Sequence, residues 1–251
     1  MAGARASWRQ DPRSRAVAAV GLLLGLLGVL MAWILVAPES TGVTFPDGGA
    51  ASASETLTAP GGGSYAFLQT QDDGTTPVGY DPCRPVRVVV NERLAPDDAE
   101  AVLSRAVAEV EDASGLDLQV VGTTDDPPLA HEDDPEAPDG GWRPVQVSWT
   151  DADEVDELSG RVAGLGGSTW LDDDTGRRYV TGEVMLDAPD VTRGGLGGEV
   201  ATGVLMHELA HVLGLDHVDD RGELMHPSSP RSSWGPGDRA GLAALGAVGC
   251  A

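Results

Sequence analysis

Hydrophobic and polar positions divide the chain into three regimes. Residues 16–37 form an apolar run of 22 residues without a charge. Residues 38–79 are rich in Gly, Ser, Thr, Ala and Pro and carry no sustained apolar period. From Tyr80 onward the apolar positions recur at the spacings of strands and helices.

In that third regime the β-branched stretch at residues 84–91, RPVRVVVN, predicts a strand. Val102, Leu103, Ala106, Val107 and Val110 lie at helical spacing and predict an amphipathic helix over residues 96–114, stopped by Gly115. Residues 116–121 read as a second strand, and residues 123–141 as a loop of Asp, Glu, Pro and Gly. The alternation in residues 145–149 predicts a third strand. Residues 161–171 and 179–186 predict two more, joined by a turn at 172–176. A helix over about residues 198–213 and a short C-terminal helix over about 236–245 complete the order β-α-β-β-β-β-α-loop-α. That is an α/β (α+β) domain with one mixed sheet of about five strands. No internal repeat is visible.

The first two regimes read as an address and a spacer. A helix of 22 residues is about 33 Å long at ~1.5 Å rise, enough to cross a bilayer. Arg5, Arg9, Arg13 and Arg15 precede it and the first charge after it is Glu39, which puts the N-terminus in the cytoplasm and the rest outside. The run exceeds the ~7–15 residues of a signal-peptide core. Pro38 also directly follows the best small-residue cut site, so an uncleaved anchor is expected, with secretion after cleavage as the alternative. Residues 38–79 then form a flexible extracytoplasmic linker, and the catalytic domain is expected over 80–251. Tyr65–Gln69, YAFLQ, fits either a strand or a segment packed on the domain.

Charge and cysteines narrow the partners. The formal net charge is −24, and all 16 positive side chains are Arg. A chain this acidic lacks the basic patches that grip phosphate backbones, so nucleic acid is excluded as a partner. Cys83 and Cys250 stand near the two ends of the expected domain, the pattern of one disulfide in an oxidising compartment, with two free thiols as the alternative.

The chemistry concentrates at residues 206–217, MHELAHVLGLDH, which hold three of the five histidines. His207 and His211 are four apart, so a helix presents both imidazoles on one face. Glu208 stands beside the first, placed to reach a metal-bound water without ligating the metal. Gly214 can take φ > 0, end the helix and turn the chain back, so that His217 supplies a third ligand. A continued helix would carry residue 217 around the cylinder and away from the metal. The stretch fits the extended H-E-x-x-H-x-x-G-x-x-H signature of zinc peptidases. A buried helix with satisfied histidines accounts for Val204, Leu205 and Leu209, but not for Glu208, Gly214 and His217 together.

HELAHVLGLDH followed by ELMHP resembles the metzincin zinc peptidases, and within them the matrixin branch. GEVMLD at residues 182–187 is similar to the matrixin strand before the active-site helix, and PGDRAGLAALG at 236–246 to the matrixin C-terminal helix. YDPCRPVRVVVN resembles the entry strand of bacterial secreted relatives. The resemblance implies one catalytic zinc, Met225 as the Met-turn floor, and Pro227 as a wall of the S1′ pocket, with His226 as a cleft-wall residue. It also admits calcium at Asp172, Asp173 and Asp174, which on the residues alone read as a solvated turn. Ala210 replaces the usual Gly, and no Tyr ligand follows the Met-turn. No propeptide with a zinc-blocking cysteine is recognisable, although DPCRP at Cys83 superficially resembles one. His131 and Asp133 lack the partner histidines of a second, structural zinc site and read as solvated loop.

The expected function is a monomeric, membrane-anchored zinc endopeptidase acting on protein or peptide substrates. A zinc-binding cell-surface module without proteolysis and a zinc hydrolase of cell-wall amides are the alternatives.

Overall fold

A computed structural model describes residues 55–131, 134–192 and 197–250, and the backbone of 40–44. The expected α/β architecture is present. Strands β4 (Val86–Asn91), β5 (Leu118–Thr123), β6 (Val145–Thr150), β7 (Gly164–Asp173) and β8 (Gly176–Asp187) form one mixed sheet, extended by β1 (Ser40–Thr44) in the order β1-β7-β8-β6-β4-β5. The pairs β4–β5, β4–β6 and β6–β8 are parallel, and β7–β8 is an antiparallel hairpin. All of β6 is buried, as a strand with parallel neighbours on both sides should be.

The crossover helix α1 (Ala99–Ser114) buries Val102, Leu103, Ala106, Val107 and Val110, the stripe that the spacing predicts. Gly115 ends it in the left-handed region at φ 76°, its N–H donating to the Glu111 carbonyl. A single turn, α2 (Ala188–Val191), follows β8, and the long helix α3 (Gly197–Leu213) packs against β7, β8 and α1. Helix α4 (Pro236–Gly246) rests on α1, and Trp234 ahead of it donates its indole N–H to the Glu109 carbonyl. The core runs between the sheet and these helices through Val147, Trp149, Val184, Leu186, Leu205 and Leu209.

Order begins earlier than Tyr80. Strands β2 (Leu57–Thr58) and β3 (Ser64–Phe67) form an antiparallel pair, and β3 pairs on its other side with β9 (Leu215–Asp216). Residues 55–79 of the expected linker are therefore part of the domain. Ala66 and Phe67 are buried, as are Val78 and Tyr80 beyond them. The physical reason is a long-range pairing: β9 is two residues long and takes its backbone partners from β3.

Cys83 and Cys250 form a disulfide with a Cα–Cα distance of 5.6 Å, tying the start of β4 to the C-terminus. Among the described residues no helix is long and apolar enough to cross a membrane. The expected span at residues 16–37 lies outside the described residues.

Candidate metal centre

Helix α3 carries His207 and His211 one turn apart on one face, while Leu205, Leu209, Val212 and Leu213 are buried in the core. Gly214 takes φ 123°, accessible to glycine and strained for other residues. A Cβ there would lie 3.0 Å from Leu245, from Tyr179 and from the Val78 carbonyl. The chain reverses at this point into β9 and presents His217. The three Nε2 atoms then stand 3.1 Å from one another in every pair.

The protons on these rings show what such a triangle fits. Leu224 offers its carbonyl to His207 Nδ1 at 2.8 Å, and Leu215 offers its own to His211 Nδ1 at 2.8 Å. A carbonyl accepts only from N–H, so each of these neutral rings carries its proton on Nδ1 and aims an Nε2 lone pair inward. Lone pairs converging at 3.1 Å repel unless a cation lies among them. The centre of a triangle of that side is about 1.8 Å from each corner, a size that would suit the ~2.0–2.1 Å of a Zn–N bond. Burial lowers the His207 pKa to about 4, helped by the neighbouring His217, and holds His211 well below its ordinary value. Both are therefore neutral at physiological pH, the form in which an imidazole can ligate a metal.

Glu208 is buried beside this triangle, and burial pushes its pKa up to about 8. Strand β7 closes over it. A Cβ on Gly164 would come within 2.9 Å of the Glu208 Cγ, and one on Gly166 within 2.3 Å of its carbonyl oxygen. The glycines at 164 and 166 thus let β7 lie directly on the helix.

Met225 is buried, and its carbonyl accepts the Val218 N–H. A residue that sequence reasoning missed holds this turn. Asp238, fully buried at the start of α4, accepts the N–H groups of Leu224, Met225 and Gly235 at 2.6, 3.2 and 2.7 Å. Its own N–H donates to Glu223, a second buried carboxylate. Burial raises the Asp238 pKa to about 6 against those three donors, with Glu223 adding to the rise. Asp at the third position of a helix is a capping signal, but nothing in the sequence shows that its other partners lie at residues 224–225. His226 is buried next to Met225 with its Nδ1 accepting the Ser228 N–H, and Pro227 is half-buried after it. The third ligand is also braced, since Asp216 accepts the His217 N–H at 2.7 Å.

The remaining predicted positions lie elsewhere. Asp172 pairs with Arg177 at 3.1 Å and Asp173 with Arg178 at 2.7 Å. A Thr175 hydroxyl and N–H also bind Asp173, which lowers its pKa. A calcium ion at Asp172, Asp173 and Asp174 would have to displace both guanidinium groups. The disulfide removes Cys83 from any zinc-capping role. His131 contacts Asp126 at 3.1 Å, and Asp133 lies outside the described residues.

Residues 149–235 match the family model described as Matrixin, a span running from the end of β6 through the edge hairpin, the histidine triad and Met225. The resemblance to matrixins is thereby borne out over that span, and the match supports a zinc-dependent metallopeptidase. No curated protein matches the chain.

Proposed function

We propose, from a matrixin-type centre at residues 149–235, that the protein is an extracytoplasmic zinc endopeptidase using Glu208 as its proton-transfer group. The observation carrying this reading is the convergence of three Nε2 atoms 3.1 Å apart, with a buried carboxylate beside them. His207, His211 and His217 would hold zinc, which supplies a Lewis acid and an acidified water when bound. Glu208 takes a proton from the attacking water and returns it to the leaving amine. Its raised pKa suits both halves of that exchange, since a group titrating near working pH can accept and then donate.

The substrate is a protein or peptide laid extended along the edge of β7 by main-chain pairing. Strand β1, five residues against the ten of β7, lies on the same side, so a peptide takes the rest of that edge or displaces it. Pro227 and His226 border the pocket for the residue after the cut. The apolar run at 16–37 with its basic flank supports a signal anchor with the domain outside the membrane, and the disulfide fits an oxidising compartment.

The test is peptide-library cleavage by the purified full chain in detergent, with metal analysis of the same sample. Cleavage that needs about one zinc per chain, stops on chelation and is lost in Glu208→Ala at unchanged zinc content is expected. Cleavage surviving in Glu208→Ala rejects Glu208 as the base. Zinc binding with no peptide cleaved rejects the endopeptidase reading in favour of a non-proteolytic zinc module, or of a cell-wall amidase if peptidoglycan is digested instead.

A further inference from the structure

The parallel strands β4, β6 and β8 all begin at one end of the sheet, and a cavity of about 250 Å³ opens there. No residue of the zinc centre lines it. Each strand brings arginine to it: Arg84 and Arg87 from β4 and its approach, Arg143 ahead of β6, and Arg178 in β8. A quarter of the 16 arginines in a chain of net charge −24 thus face one cavity, with Asp81 as its one acidic lining residue.

The four arginines are not equally committed. Arg178 is bound to Asp173 at 2.7 Å, with both side chains largely buried. Arg143, its side chain 20% exposed, donates its Nε to the Asp134 carbonyl at 2.8 Å and its Nη2 to the Asp134 carboxylate at 3.1 Å, whereas Arg84 is 77% exposed in its pair with Asp81. The exposed Arg84 pair holds its geometry weakly and exchanges readily for a better anion. Arg87 is exposed and forms no ion pair among the described residues. Trp142, half-buried, adds an aromatic wall.

We propose that this cavity is a binding site for a small, multiply charged oxyanion. Carboxylate and phosphate share the chemistry that guanidinium groups recognise, two acceptor oxygens in the plane of a donor fork. The volume favours a compact ligand over a polymer, lying at the lower limit of ordinary small-molecule pockets. Arg87 provides the main contact, Arg143 adds positive charge from its place on Asp134, Arg84 closes over the ligand from the loop that the Cys83 disulfide anchors, and Trp142 takes its carbon body.

The two sources are separated by titrating citrate and inorganic phosphate into the zinc-loaded full chain in detergent and following heat of binding. Saturable binding of at least one is expected, weakening with ionic strength as salt screens the site. Arg87→Glu and Arg143→Glu should each weaken it about tenfold or more, and Arg87→Gln by less. Arg105→Glu makes the same charge change on the exposed side of α1 and should leave binding unaltered. Citrate binding without phosphate binding assigns the site to a polycarboxylate, and the reverse to a phosphate. If neither anion binds saturably, or Arg105→Glu weakens binding as much as Arg87→Glu, the proposal is overturned.

Discussion

Two glycines decide how the zinc centre is assembled, each for a different reason. Gly166 is a matter of distance. A methyl group there would press to 2.3 Å on the Glu208 carbonyl, so Gly166→Ala must push β7 off helix α3 or shift the helix beneath Glu208. Overpacking of this kind costs about 1–3 kcal/mol. The urea midpoint should fall accordingly, and peptidase kcat should drop with zinc content unchanged, because Glu208, the proposed base, moves and the three histidines do not. Gly214 is a matter of backbone conformation. At φ 123° a side chain is strained and meets three neighbours at 3.0 Å, so Gly214→Ala should cost about 1–3 kcal/mol. Its signature differs, because the turn that aims His217 is altered and zinc affinity, read by chelator competition, falls with stability. The sequence shows why a glycine is wanted at 214, since a helix must end between His211 and His217. The need for one at 166 is invisible until β7 is seen lying on α3.

At the scale of elements, legibility follows the range of the interaction that makes each element. The strands β4 to β8 and the helices α1, α3 and α4 are readable because apolar period and stop signals are local. β3 is not, because four residues carry too little alternation and their partner β9 lies about 150 residues away. Yet this pairing bears on the metal. The Leu68 N–H donates to the Gly214 carbonyl at 2.9 Å, and β3 flanks the two residues before His217. Leu68→Pro deletes that donor and should weaken zinc binding about tenfold with α3 intact by circular dichroism. Asp238 was equally hidden, since its partners are backbone N–H groups that leave no mark on the sequence. Its folded pKa of about 6 lies above the ordinary 3.8, so the folded chain holds a proton there that the unfolded chain has released. Stability from this group is full below about pH 4 and is lost as pH rises through 6, by roughly 3 kcal/mol at most. Buried Glu223 is the charged group facing it. Asp238→Asn should be less stable throughout, because its amide N–H₂ faces donors, and the difference between wild type and variant should narrow as pH rises from 4 to 7.

For the folded part of the chain as a whole, the disulfide is the longest-range covalent constraint. It joins residues 167 apart in sequence, so it restricts nearly all of the described chain when unfolded. Loop-closure entropy for a ring of that size predicts a contribution near the top of the usual range of about 2–5 kcal/mol. Cys83→Ser with Cys250→Ser should lower the unfolding free energy by that order and steepen its dependence on denaturant, since the unfolded chain freed of the cross-link exposes more surface. The effect on function should be uneven. The triad is held by α3, β3 and the Asp238 clasp, none of which includes Cys83 or Cys250, so zinc stoichiometry and peptidase activity should persist wherever the double variant remains folded. The oxyanion cavity should respond, because Asp81 and Arg84 flank Cys83 on the loop that the bond anchors. Citrate or phosphate affinity should therefore fall under reducing conditions that leave proteolysis untouched. Parallel loss of both would place the disulfide's influence in the core of the domain rather than at its entry strand.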